Sequence, residues 1–219
     1  MATTMTSAAF VTLLDRLFQQ ADMAASPAWA GMPRAERERL MSSKTKYLDF
    51  YGYLKDLWLP VSRETGVLLY MLARSTQAHN IVEFGTSFGI STLHLAAALR
   101  DNGAGRLITS EFEPTKAAQA YAHLKEAGLD DLVEIRQGDA LRTLAVNLPD
   151  TVDLLLLDGA KSIYLDVLAK VESHLRPGAL IIADNVDFSP DYLDYIRSPN
   201  NGYLSVPFAG DVELSVRLQ

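Results

Sequence analysis

Four short strand-like runs in this chain end in residues that can do chemistry. Ile81–Phe84 gives way to the turn Gly85-Thr86-Ser87-Phe88-Gly89, and Arg106–Ser110 to Glu111. Val152–Leu157 gives way to Asp158, with Lys161 three residues on, and Ala179–Ala183 to Asp184-Asn185. Asp158, Asp184 and Asn185 offer oxygen donors only, a set that suits a hard cation such as Mg²⁺, Mn²⁺ or Ca²⁺ and not zinc. Three such oxygens leave open positions on an octahedral ion, where a substrate can coordinate. Helix capping is the plainer use of the same residues, since Asp158 and Asn185 precede helical or turn segments. Lys161 reads either as a solvated lysine at a helix start or as a proton-transfer group. The mild misfit of a cation at a helix N-terminus favours the second.

Glu83-Phe84-Gly85-Thr86-Ser87-Phe88-Gly89 leads into an apolar-periodic helix through Leu93, Ala96, Ala97 and Leu99. The glycines remove Cβ atoms that would keep a ligand off the backbone. Free N–H groups at the helix start favour negative charge, so a nucleotide-like cofactor is the expected occupant. The third glycine of G-x-G-x-x-G is missing, which disfavours a dinucleotide. Glu111, 22 residues after Gly89, is placed to accept hydrogen bonds from both ribose hydroxyls. Asp139, after the run Val133–Gln137, can meet an adenine amine or cap the helix that starts near Leu141. Ala140 beside it joins the cofactor-binding candidates.

The same turn reads as the G-x-S-x-G elbow of serine hydrolases through Ser87. That reading fails on three counts. In that fold several strands precede the nucleophile, whereas everything before Asn80 looks helical. The triad needs a histidine after the acid on a strand-end loop, and His174, the only histidine after Asp158, falls in a predicted helix. Glu111 and Asp184-Asn185 would also go unexplained. His79, His94 and His123 lack ligand spacing and read as surface or core polar residues.

These residues need a frame. Phe10, Leu13, Leu14, Leu17 and Phe18 form the stripe of an amphipathic helix, capped by Thr6 or Ser7. Pro27, Gly31 and Pro33 break the pattern. A second helical stretch is expected over Ala35 to Leu57, with an interruption near Ser42-Ser43, and a third after Ser62 through Val67, Leu68, Met71 and Leu72. From Asn80 the strands above alternate with predicted helices at Ile90–Arg100, Thr115–Ala127, Leu141–Asn147 and Ser162–Leu175. Gly128 suits a C-terminal cap, and Arg176-Pro177-Gly178 a helix stop. This alternation predicts an α/β fold, a doubly wound, Rossmann-like and mostly parallel sheet with right-handed crossovers. Gly202–Pro207 and Val212–Leu218, linked around Ala209-Gly210, complete seven strands as an antiparallel C-terminal hairpin.

The 219 residues, 48% hydrophobic, suit one full core with a small appendage. With no cysteine, disulfides, thiolate metal sites and cysteine nucleophiles are excluded. A net charge of -7 argues against a duplex nucleic-acid binder. No apolar run is long enough to span a membrane and no signal peptide is recognisable, so a cytoplasmic protein is expected.

Leu157-Asp158-Gly159-Ala160-Lys161-Ser162-Ile163-Tyr164, followed by Leu175-Arg176-Pro177-Gly178-Ala179-Leu180-Ile181-Ile182-Ala183-Asp184-Asn185-Val186, resembles the metal-dependent O-methyltransferases of the catechol and caffeoyl-CoA type. That class I, S-adenosylmethionine-dependent family reads L-D-x-x-K-x-x-Y, then L-x-x-G-G-x-[IVL]-x-x-D-N-V, after an E-x-G-x-x-x-G turn. The similarity covers roughly Pro60 to Leu218. It implies that Gly85, Ser87 and Ser91 contact the methionine part of S-adenosylmethionine and that Glu111 holds the ribose. Glu83, Gly89, Asp139, Ala140 and Asp158 belong to the same cofactor site. It implies Asp158, Asp184 and Asn185 as ligands of Mg²⁺ (or Mn²⁺ or Ca²⁺) and Lys161 as the base. The implied acceptor is a small aromatic hydroxyl compound of catechol type. Some relatives methylate a hydroxylated tRNA uridine instead, and Arg34, Arg37, Arg39, Lys44 and Lys46 form a local basic cluster, diluted by Glu36 and Glu38. The chain therefore divides into residues 1–58, a helical lid or dimer segment, and residues 59–219, the methyltransferase domain. Residues 1–58 are expected to serve the acceptor pocket or a homodimer contact rather than the cofactor. Gly210-Asp211-Val212-Glu213 matches the family's G-D-G element only in part.

Overall fold

The computed structural model describes residues 3–24, 27–208 and 210–219, with the backbone alone at 27 and 28. Five helices come first: α1 (Ala8–Met23), α2 (Pro27–Gly31), α3 (Arg34–Met41), α4 (Tyr47–Tyr53) and α5 (Arg63–Ser75). Strands and helices then alternate: β1 (Asn80–Phe84), α6 (Ile90–Asn102), β2 (Arg106–Glu111), α7 (Pro114–Glu126), β3 (Val133–Gln137), α8 (Ala140–Thr143), β4 (Val152–Leu157), α9 (Tyr164–Val171), β5 (Leu175–Ala183) and α10 (Pro190–Ile196). The hairpin β6 (Tyr203–Phe208) and β7 (Val212–Arg217) closes the chain.

One seven-stranded sheet runs in the order β3-β2-β1-β4-β5-β7-β6. The first five strands are parallel, and β7 pairs antiparallel with both β5 and β6. Every residue of β4 is buried, as a strand covered on both faces requires. One face packs on α1, α5 and α6 through Leu14, Leu17, Leu69, Leu93 and Leu99. The other packs on α9 and α10 through Val167, Leu168, Tyr192 and Ile196. Ser7 caps α1, with its hydroxyl accepting from the Phe10 N–H. Ser62 caps α5, accepting from the Thr65 N–H at 3.0 Å.

Several expectations shift. The stretch Ala35 to Leu57 breaks at Ser42–Lys46, at the expected interruption, into the short helices α3 and α4, and its helix ends at Tyr53 rather than Leu57. α5 buries Thr65, Gly66, Leu69 and Ala73, leaving Val67 43% and Met71 59% exposed. The hydrophobic stripe misleads here because Gly66 is the contact point: a Cβ there would lie 2.6 Å from the His94 ring on α6. The helix expected over Leu141–Asn147 is the single turn α8, and the one over Ser162–Leu175 keeps only Tyr164–Val171 as α-helix. Arg176-Pro177-Gly178 lies inside β5, beside a register shift in β4. The expected link at Ala209 lies outside the described residues.

Glu83 sits mid-strand in β1, fully buried, although the resemblance grouped it with cofactor-binding residues. It accepts hydrogen bonds from Ser91 Oγ at 2.6 Å and Thr92 Oγ1 at 2.7 Å, tying the first turn of α6 to the sheet. Burial outweighs these donors and pushes its carboxyl up to about 7.

Two stability outcomes follow. Leu17→Ala should cost about 2–5 kcal/mol in urea unfolding, because the side chain is fully buried in the main core. A loss below about 1 kcal/mol would make α1 peripheral. The folded state binds the Glu83 proton more tightly than an unfolded chain with its ordinary value of 4.5. Stability therefore falls as pH rises from about 4.5 to about 7 and levels off above that. Glu83→Gln should flatten this slope, measured by urea unfolding across that range; an unchanged slope would remove Glu83 as its source.

Candidate active site

Chain direction across the sheet reverses between β1 and β4, and ligands in open parallel sheets bind outside the carboxyl ends at such a point. Here the two strand ends touch. Gly85 has φ of 108°, and a Cβ on it would lie 2.5 Å from the Asp158 carbonyl oxygen. Gly89 has φ of 87°, and its Cβ would lie 3.1 Å from Ala120 on α7. Neighbouring chain therefore accounts for both glycines, in addition to the ligand access inferred from sequence. Ser87 and Asn185 have φ of 47° and 49°. Left-handed backbone at non-glycine residues is uncommon, and here it occurs on both sides of one cleft.

A cavity of about 470 Å³ opens at this edge. Gly85, Ser87, Glu111, Ala140, Asp158, Lys161, Asp184 and Asn185 all line it. Ser91 lines a smaller adjoining gap together with Gly85 and Ser87. Glu83, Gly89 and Asp139 line neither of these spaces. Asp139 caps α8: its Oδ1 accepts from the Leu141 N–H at 3.0 Å and from the Tyr47 hydroxyl at 2.9 Å.

Glu111, 7% exposed, accepts the Ser87 N–H at 2.8 Å on Oε2 and the Glu113 N–H at 2.9 Å on Oε1. Each oxygen keeps a further lone pair for a ligand hydroxyl. Burial nevertheless pushes this carboxyl up from its ordinary value.

At the opposite end Asp158 and Asp184 are both pushed up by burial first: Asp158 against the pull of Lys161, and Asp184 to about 7 with repulsion from Asp158 next, Asp211 adding to both. The two carboxyls are close enough to share a hydrogen bond. Asn185 Nδ2 donates to Asp211 Oδ2 at 2.8 Å, which leaves the amide oxygen as its available donor atom. Excess buried negative charge with oxygen-only donors fits a hard cation. Among the described residues no three His, Cys, Asp or Glu side chains converge as a metal cluster, so such an ion needs the Asn185 amide.

Lys161 Nζ donates to Asp158 Oδ1 at 2.9 Å. Burial is the strongest single influence and opposes its charge, but Asp158 together with Tyr164 and Tyr51 outweighs burial and holds the ammonium well above its ordinary range. Tyr164 lies under it, 5.4 Å from Nζ to the ring centre, and donates its hydroxyl to the Asp184 carbonyl at 2.8 Å. Tyr47, Phe50 and Tyr51 of α4 and Trp29 of α2 supply the apolar wall.

Two features escaped the sequence reading. Trp58 stacks on Phe88 within the glycine turn, with centroids 4.0 Å apart and planes 7° apart. Residue 58 thus abuts the glycine turn and lines the small gap beside it. Lys116 lines the cavity, 6% exposed. Its place in the first turn of α7 is the same dipole misfit that singled out Lys161.

Comparisons with known proteins bear on the family and the fold. A family model described as "Methyltransferase domain" matches residues 82–186. A catechol O-methyltransferase of Niastella koreensis is 40% identical over 131 residues, covering 58% of this chain and 58% of that one. The match thus spans less than two thirds of that relative's length. A probable O-methyltransferase of Mycobacterium tuberculosis is 30% identical over 162 residues, covering 68% of each chain. The structure of an O-methyltransferase of tomaymycin synthesis from Streptomyces achromogenes, solved with S-adenosylmethionine, superposes with a TM-score of 0.66. It is 25% identical, and the match covers 93% of this chain and 95% of that one. Sheet order, the turn at the switch point and these likenesses converge: the chain belongs to the class I S-adenosylmethionine-dependent O-methyltransferase family.

Proposed function

We propose that this protein transfers the methyl group of S-adenosylmethionine to a hydroxyl of a small, catechol-like aromatic acceptor, with a hard divalent cation and Lys161 as base. The observation that carries the reading is the shared cavity of about 470 Å³. It joins the turn and Glu111 to Asp158, Lys161, Asp184 and Asn185 under an aromatic wall. S-adenosylmethionine supplies the methyl group on a sulfonium. A divalent ion held by Asp158, Asp184 and Asn185 supplies Lewis acidity that favours the ionised acceptor oxygen.

The chain's own residues do the rest. Glu111 takes the ribose hydroxyls on its two remaining lone pairs. Tyr47, Phe50 and Tyr51 hold the acceptor ring and keep water from the sulfonium. Lys161 Nζ takes the proton of the acceptor hydroxyl. Its pairing with Asp158 keeps Lys161 protonated, so the base role requires Asp158's charge to be engaged elsewhere. Positioning supplies most of the rate in such an in-line transfer. Residues 29–58 serve as the lid, whereas α1 belongs to the core.

A tRNA acceptor is less well supported, because four of the five basic residues of the cluster are neutralised locally and Arg37 lies over the Trp29 ring. Arg34 pairs with Glu38, Arg39 with Glu36, Lys44 with Asp166 and Asp191, and Lys46 with Asp49. The hydrolase reading has no support either, since Ser87 Oγ is buried without a hydrogen-bond partner among the described residues.

S-adenosylmethionine should raise Tm, and Glu111→Ala should cut its affinity by about tenfold or more through lost charge-assisted hydrogen bonds. Stabilisation by NAD and not by S-adenosylmethionine would overturn the cofactor assignment. On a catechol acceptor, chelation should abolish turnover and Mg²⁺ restore it. Lys161→Ala should lower kcat by about 10²–10⁴. Lys161→Arg should not rescue, since a guanidinium holds its proton. Near-wild-type turnover in Lys161→Ala would remove Lys161 from the chemistry.

A further inference from the structure

Lys116 breaks two local rules at once. It lies in the first turn of α7, at the positive end of the helix dipole. It is also buried to 6% exposure with no ion pair among the described residues. Buried lysines are rarely tolerated unpaired. Burial lowers its affinity for its proton, against the pull of Glu111, Glu113 and Asp56.

What it holds explains its place. Lys116 Nζ donates to the Leu57 carbonyl at 3.1 Å and lies 5.3 Å from the centre of the Phe88 ring. Phe88 in turn stacks on Trp58. The segment Leu57–Pro60 is therefore fastened at two points, to α7 and to the glycine turn. The gap between Trp58–Val61 and the turn is about 10 Å³, room for about one water. Leu59 and Pro60 also line the large cavity, across which Lys116 and Glu111 are neighbours.

We propose that Lys116 is a positioning residue for the cofactor: its ammonium fastens the Leu57–Pro60 strap over the Gly85–Gly89 turn and sets the charge beside Glu111, so that the strap lifts to admit S-adenosylmethionine and closes to retain it. This rests on the reading of Glu111 as the ribose carboxylate. It gives the end of the N-terminal segment a part in cofactor binding, where the sequence suggested only acceptor or dimer contacts.

The test uses the full chain with Lys116→Met, Lys116→Arg and Trp58→Ala, probed with S-adenosylmethionine. Lys116→Met removes a buried charge and keeps an unbranched apolar chain one atom shorter than lysine, with the Tm of the cofactor-free variant as the check on folding. Its Kd should rise about tenfold or more, chiefly through faster dissociation. KM for the cofactor should rise by the same factor, more than kcat falls. Amide exchange at residues 57–61 should quicken in the cofactor-free variant. Lys116→Arg should recover most of the affinity. Trp58→Ala combined with Lys116→Met should cost less than the sum of the two changes, since both release one strap. Unchanged Kd and unchanged exchange in Lys116→Met would overturn the proposal, as would additive effects of the pair. If the wild type binds no S-adenosylmethionine while exchange at residues 57–61 still responds to Lys116→Met, the functional reading fails and takes the cofactor role of the strap with it.

Discussion

The site depends on one backbone contact. The turn after β1 lies directly on the end of β4, close enough that only glycine fits at position 85. The Asp158 N–H donates to the Phe84 carbonyl at 2.8 Å, and the Phe84 ring fills the space that a side chain at Gly159 would need. One junction thus sets the separation between the turn and Asp158. It also fixes where Lys161 begins its turn. A parallel sheet whose strand order reverses opens a crevice at that point. Here the crevice is trimmed by two strand ends in van der Waals contact, so the groups proposed for cofactor and cation share a wall.

Charge is the second organising constraint. Glu83, Glu111, Asp158 and Asp184 are all pushed up by burial. Each is thereby a place where positive charge is welcome, because burial penalises an uncompensated carboxylate. Two buried ammoniums answer them in part, Lys161 at Asp158 and Lys116 near Glu111. The proposed ligands, a sulfonium and a divalent ion, carry the sign this environment favours. Glu83 differs from the other three because hydroxyls surround it and the cavity does not reach it. Its part is to bind the start of α6 to β1.

The N-terminal segment divides by its packing. α1 lays Phe10, Leu13, Leu14, Leu17 and Phe18 into the same core as α5 and α6, and is as much part of the domain as the sheet helices. The chain from Trp29 to Pro60 instead walls the cavity, with short helices whose few buried side chains face α9 and the site. Tyr47 ties this wall to Asp139, and Lys116 ties it to α7. The cavity wall and the glycine turn are thereby linked through hydrogen bonds as well as through the Trp58–Phe88 stack.

The sequence by itself determined the alternation of elements, the antiparallel tail and the strand-end positions of Glu111, Asp158, Asp184 and Asn185. Those features follow from short-range patterns: apolar runs of strand length, glycine turns and caps carry their information within a few residues. Glu83, Asp139, Lys116 and the face of α5 were decided only by tertiary structure. Whether Glu83 or Asp139 meets a ligand depends on what lies on the far side of its strand or helix. The buried face of α5 follows Gly66, a residue whose value lies in what it lacks, rather than the larger apolar side chains. Lys116 matters through a carbonyl 59 residues away, and no local spacing encodes that contact.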